Sequence, residues 1–279
     1  TLDISTKENI LKYILKKGLN MYLRSLSLIF SLLVSVPVYA HEFWISPVKY
    51  EVSVDEPIEA HFRVGQGFNG SGQSFLSRQT ARQEVVQGRQ TTQVTGRNGD
   101  RPAFQHSGLS NGLAVLVHES TDSSLTYKDY EKFLKFVTHK SFEGQPEAHQ
   151  ARGLPEVDFR ESYRRFAKSL IAVGDGAGKD MSVGLDIEIV ALTNPYTDDL
   201  SNGMQVRVLM MGQPRPNVQV EVFQRALRET GEVQISLHQT DADGVAKFPV
   251  TAGQEYMVDS VALIPINPKV EGNPVWHSL

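Results

Sequence analysis

Met204-Gln205-Val206-Arg207-Val208-Leu209-Met210 is followed by Gly212-Gln213-Pro214 and then by Val218-Gln219-Val220-Glu221-Val222-Phe223. Two short apolar-rich runs flank a glycine–proline turn signal, and the rhythm continues through Val233 to Leu237, Val245 to Val250 and Tyr256 to Leu263. Asp241-Ala242-Asp243-Gly244 interrupts it as a tight turn. Short strands spaced about 8–12 residues apart with turn residues between them predict a β-sandwich.

Upstream, Thr193-Asn194-Pro195-Tyr196 reads as a domain boundary, preceded by a strand over Leu185 to Leu192. In Ile58 to Val64 the residues Ile58, Ala60, Phe62 and Val64 point one way and Glu59, His61 and Arg63 the other, the period of a half-buried strand. Lys49 to Val54 is extended, and Leu113 to Val117 is a short buried strand. Gly65 to Gly72 reads as a loop, Val85 to Val94 as an exposed hairpin, and Ser141 to Pro155 as a polar loop. Tyr127, Tyr130, Phe133, Leu134 and Val137 fall at helical spacing and predict one short helix. Glu161 to Val173 is ambiguous by pattern and leans to strand at its end. The expectation is an all-β chain of two β-sandwich domains, Ig-like or prealbumin-like. The first spans 41–192 and the second 193–279.

Residues Met21 to Ala40 have the layout of a secretory signal: Arg24, an apolar core over Leu26 to Val36, and the small-residue exit Val38-Tyr39-Ala40. Thr1 to Asn20 reads as an upstream extension or a long basic lead. The core is shorter than the roughly 20 apolar residues a spanning helix needs. The expectation is a soluble periplasmic protein starting at His41, with 239 residues and a net charge shifted from −4 to −7 by loss of five basic and two acidic residues. That charge argues against a general nucleic-acid binder. The absence of cysteine excludes disulfides and thiolate metal sites.

Cleavage after Ala40 would leave His41 with a free α-amine and a ring Nδ1, which can chelate a divalent metal together. His61, on the polar face of its strand, and His118, after an apolar run, are the reachable further ligands; a hydrogen-bonded or solvated side chain is the alternative for each. Trp44 either shields a ligand or anchors the first strand. Glu161, Tyr163, Arg165 and Lys168 concentrate charge, as an anion site or as an ion-pair network between strands. Asp241 to Gly244 lacks the later glutamate of a calcium loop. Neither Gly65 to Gly70 nor Gly174 to Lys179 has the spacing of a phosphate loop, and no Gly-x-Ser-x-Gly nucleophile elbow occurs.

His41-Glu42-Phe43-Trp44-Ile45-x-Pro47 after a signal peptide, Glu161-x-Tyr163-x-Arg165-x-x-Lys168-Ser169-Leu170, Leu185-x-x-Glu188-x-Val190 with Asn194-Pro195, Gly212-x-Pro214 with Val218-x-Val220, Thr240-Asp241-x-Asp243-Gly244 and Trp276-x-Ser278-Leu279 follow one another in an order that resembles a known family. It is the exported bacterial domain-of-unknown-function family 4198, tagged as a periplasmic component of nickel and cobalt uptake. The resemblance implies a periplasmic, all-β, two-part protein, and the leading expectation is a binding or accessory protein, not an enzyme. It would handle nickel or cobalt beside an inner- or outer-membrane transporter, with His41 as the metal ligand. Many members carry histidine after the glycine matching Gly65, where this chain has Gln66. Two other readings stand beside it: a non-catalytic structural or protein-interaction module of the cell envelope, and a copper histidine-brace oxidative enzyme.

Overall fold

A computed structural model describes residues 42–227, 231–267, 270 and 272–279. The signal segment, the extension before it and His41 lie outside the described residues. The strands in chain order are β1 (Glu42–Pro47), β2 (Glu51–Val52), β3 (Ile58–Gln66), β4 (Asn69–Gln73), β5 (Thr80–Gln87), β6 (Gln90–Gln93), β7 (Phe104–His106), β8 (Gly112–Ser120), β9 (Ser123–Tyr127), β10 (Phe159–Tyr163) and β11 (Phe166–Val173). They continue as β12 (Ile187–Ala191), β13 (Met204–Met210), β14 (Gln213–Pro214), β15 (Gln219–Ala226), β16 (Gln234–Gln239), β17 (Val245–Phe248), β18 (Gln254–Asp259), β19 (Leu263–Pro265) and β20 (Trp276–Ser278). Two helices, α1 (Tyr130–His139) and α2 (Gln145–Ala151), lie between β9 and β10.

The chain is all-β in class, as the strand rhythm implies, and its strands pack as facing sheets. One sheet runs β1-β3-β4 with β7 also on β3, and faces the five-stranded sheet β2-β11-β8-β5-β6. Ile58, Ala60 and Phe62 from β3 meet Leu116 from β8 and Ile171 from β11 in the core between them. The alternation in β3 thus serves burial on one face only. The second pair is β12-β13-β14 with β17 on β13, facing β16-β15-β18; Val206, Val208, Val220, Val222 and Phe248 fill that core.

After Asp259 the chain crosses back. β20 pairs in parallel with β10 and antiparallel with β19, in the sheet β19-β20-β10-β9. The two helices cover that sheet, with Phe133, Phe136 and Val137 of α1 and Ala148 of α2 packed into one cluster with Phe159 of β10 and Trp276 of β20.

Four local expectations change. Val85 to Val94 does pair as a hairpin of β5 and β6, but Val85, Val86 and Val94 are buried, so it is not an exposed one. The helix starts at Tyr130, because Asp129 caps it by accepting a hydrogen bond from the Glu131 N–H; Tyr127 belongs to β9. The polar stretch 141–155 contains the second helix, so there are two helices and not one; α2 is short and polar, and its His149 is buried against aromatic rings. The glycine-rich stretch is a hairpin of β3 and β4. A Cβ on Gly65 would sit 1.9 Å from the Asn69 carbonyl oxygen, and one on Gly70 would sit 2.5 Å from the Trp44 ring, so glycine is what lets these strands close beneath that ring. No helix among the described residues is long and apolar enough to cross a membrane.

Candidate functional site

The structure does not bring His61 and His118 together. His118 lies within β8, its ring turned into the core, 4.3 Å from the Phe62 ring and 5.0 Å from Phe43. Burial drops its pKa to about 3, and its Nδ1 has no hydrogen-bond partner among the described residues. His61 neighbours Phe62 on β3, so it points to the opposite face and is half-buried there. Burial and the nearby Arg63 hold its pKa below the usual histidine value. Among the described residues no three His, Asp or Glu side chains are placed to hold a metal ion.

The charged run from Glu161 to Lys168 splits into separate environments. Glu161 on β10 is buried and accepts hydrogen bonds from the Tyr127 hydroxyl (2.7 Å) and the Ser278 hydroxyl (2.5 Å). Burial pushes its carboxyl up, against the pull of those donors and Arg165. The Arg165 guanidinium lies over the Tyr163 ring at 4.9 Å. Lys168 on β11 reaches a different place, with its Nζ 2.7 Å from Asp180 and 3.0 Å from Glu188.

A cluster that sequence reasoning missed lies at the head of β1. Strand alternation sends Phe43 and Ile45 toward the first core, and Glu42 and Trp44 onto the outer face of β15 and β18. On that face Glu221 is the cross-strand partner of Asp259, and Phe223 that of Met257. Trp44 packs with Phe223, Met257 and Phe68, its ring 5.5 Å from the Phe68 ring. Two residues before it in β1, Glu42 comes close enough to Asp259, Glu221 and Lys140 to feel their charges. Acid thus lies near acid, and apolar against apolar.

Lys140, immediately after α1, puts its Nζ 3.0 Å from Glu221 Oε1 and 2.7 Å from Asp259 Oδ2. Its ammonium is held charged: burial opposes this, and Asp259 and Glu221 outweigh it. His139 Nε2 is 3.4 Å from Glu221 Oε1, and the Gln219 amide donates to the same oxygen at 2.8 Å. Glu42 Oε2 and Glu221 Oε2 are buried with no hydrogen-bond partner among the described residues. Two idle carboxylate oxygens in a water-poor setting are expensive to keep ionised. The detectable signal was Glu221, a charge inside the apolar run Val220 to Phe223.

Burial, then the negative charge of Asp259, raises Glu42 from 4.5 to about 7, while Lys140 pulls it down. A carboxyl whose pKa is raised by folding favours the protonated fold, so wild-type stability falls as pH climbs from about 4.5 to about 7 and then levels. Glu42→Gln lacks that loss. Relative to wild type it should gain nothing between pH 4 and 4.5 and about 2 kcal/mol by pH 8, once solvent screening is allowed for. Denaturant melts of the unprocessed chain in chelator measure it, because no freed α-ammonium or metal then neutralises Glu42. A stability difference that stays flat from pH 4 to 8 would show that Glu42 titrates normally.

No curated protein and no solved structure matches the chain significantly. A family model does: the one described as a domain of unknown function (DUF4198) matches residues 38–262, which take in β1, the cluster at its head and all the strands through β18. With most of its length so matched, the chain belongs to the DUF4198 family.

Proposed function

We propose that this chain is an exported, non-catalytic accessory protein that carries a divalent transition metal of the nickel or cobalt class for a membrane transporter, binding it at the head of β1. The observation that supports this most is the placement of Glu42: buried, with an idle oxygen, near Glu221, whose Oε2 is idle as well. His41 directly precedes Glu42, so cleavage after Ala40 would add an amine and an imidazole nitrogen to those carboxylate oxygens. Imidazole nitrogen suits nickel, copper and zinc, and carboxylates complete such sites. His61 and His118 take no part in this reading, because they face away from each other and His118 is shut in the core.

Calorimetric titration of the chain beginning at His41 with nickel, cobalt, copper and zinc tests it. We expect micromolar or tighter binding, weakened at least roughly tenfold by His41→Ala and by N-terminal acetylation. Binding that survives both changes would remove His41 from the site, and no binding would favour an envelope interaction module. One observation favours that second reading: Ile235 and Leu237 are exposed on the edge strand β16, which has no lysine, proline or bulge to discourage pairing.

A further inference from the structure

The groups facing the cluster come from every element packed there: Glu42 from β1, His139 and Lys140 from the end of α1, Gln219 and Glu221 from β15, and Asp259 from β18. Two carboxylates, Glu221 and Asp259, hold one ammonium, Glu42 lies near enough to feel its charge, and His139 is beside Glu221 at the exposed rim. The lysine chain is 5% exposed and that of Glu221 2%. A buried ammonium between two carboxylates stands where a free cation would stand. Its presence also explains why the described acids do not converge on a common centre: Glu221 and Asp259 are arranged around Nζ.

The backbone around Lys140 is fixed, with its own N–H bonded to the Phe136 carbonyl, the His139 carbonyl accepting from the Gln219 amide and the Ser141 hydroxyl donating to Gln219. Lys140 directly follows α1 and precedes two left-handed positions, Ser141 at φ 54° and Gly144 at φ 79°. A lysine stem is a flexible four-carbon chain, so a change of side-chain rotamer alone would carry the ammonium off the acids. The acids come from β1, β15 and β18 and stay.

We propose that Lys140 is a tethered plug whose ammonium occupies Glu221 and Asp259 until a divalent cation, entering against Glu42 and the idle Glu221 oxygen, displaces it toward solvent. This rests on the metal-carrier reading above and adds how the site is kept closed and released. A doubly charged ion outcompetes one ammonium for three carboxylates, and the expelled lysine regains its hydration. Reversal is built in, since the tether keeps the ammonium at high local concentration and so favours handing the ion on.

The test uses the chain beginning at His41, with cobalt, nickel and zinc chloride, and magnesium chloride as the hard-ion control. Titration calorimetry and cation-dependent thermal melts are the readouts. We expect Lys140→Met to bind the transition metals at least roughly tenfold more tightly than wild type, and to show the larger rise in melting temperature on loading. Lys140→Met alone leaves the acids without a counter-charge and can fail to fold. The comparison is therefore repeated with Asp259→Asn in both chains, where the same gain is expected. Affinity unchanged or weakened by Lys140→Met in the background that folds overturns the plug. If wild type binds through His41 and Lys140→Met is no tighter, the carrier reading stands and the plug falls. If Lys140→Met gains affinity while His41→Ala changes nothing, the plug stands and the role of His41 falls. No binding by any chain sinks both.

Discussion

Lys168→Ala should destabilise the fold by about 3–5 kcal/mol, a drop in melting temperature on the order of 10 °C for a chain of this size. The Lys168 side chain is 8% exposed, and those of Asp180 and Glu188 are 2% and 1%. Removing the ammonium leaves two buried carboxylates without a counter-charge. Their other partners show how fixed they are. Glu188 also accepts from the Ser182 hydroxyl and from the backbone N–H groups of Val183, Gly184 and Leu185, and Asp180 from those of Met181 and Ala191. Burial works to raise Glu188 but is outweighed by Lys168 and those N–H donors, so its pKa sits below the usual value. In Asp180 burial prevails over Lys168 and the pKa is raised. The destabilisation of Lys168→Ala should therefore shrink as pH falls through the carboxylate range, because protonated acids need no counter-ion. Pairing Lys168→Met with Glu188→Gln should recover much of it. Chemical denaturation of the three chains at pH 5 and pH 7.5 checks both statements. A loss below 1 kcal/mol for Lys168→Ala would mean that water screens the network and that Lys168 is free to bind an anion.

This network and the cluster at Glu42 mark how far the sequence could be read. Period two in Ile58 to Val64 and the strand–turn rhythm after Met204 reflect one-sided burial, which is a local property, and they foretold β3, β13 and β15. Gly65 to Gly72 misled because glycine signals both loops and close strand approach; only the Trp44 ring over Gly70 decides between them. α2 was hidden because Gln145 to Ala151 is polar and seven residues long, and its burial is carried chiefly by His149. His118 follows an apolar run and looks like a strand end, yet β8 continues to Ser120 and turns that ring inward. The cluster itself draws on β1, α1, β15 and β18, whose members are up to 217 positions apart, from Glu42 to Asp259. Each acid alone is an ordinary residue; register brings Glu221 opposite Asp259, and strand alternation turns Glu42 toward them. Spacing along the chain cannot encode that.

Trp276→Ala should cost about 3–5 kcal/mol from packing alone, and further loss from a broken polar chain. The ring is fully buried, stacked 5.7 Å from Phe133, with the Arg152 guanidinium 4.9 Å from its centroid. Its indole N–H donates to His149 Nδ1 at 3.1 Å, and His149 Nε2 lies 3.0 Å from the Pro155 carbonyl oxygen. A carbonyl only accepts, so the Nε2 carries the proton and the Nδ1 lone pair must receive the indole; burial, which lowers the pKa of His149, keeps that ring neutral. One tautomer satisfies both contacts. Trp276→Phe retains most of the buried area and strands the Nδ1, so it should lose about 1–3 kcal/mol, less than alanine. Protonation of His149 would break the same link from the other side, so wild-type stability should fall as pH drops below the ordinary histidine value, and fall less in Trp276→Phe, which keeps the burial but has no indole bond to lose. The consequence reaches the candidate site through chain direction. Asp259 ends β18 and β19 begins four residues later, pairing with β20, whose Trp276 ring packs against α1, the helix that Lys140 directly follows. Loosening Trp276 should therefore free both ends of the Lys140–Asp259 ion pair, and amide exchange should speed up at residues 136–141 and 257–265 together in Trp276→Ala. Faster exchange confined to β20 would show that the seam and the cluster are mechanically independent.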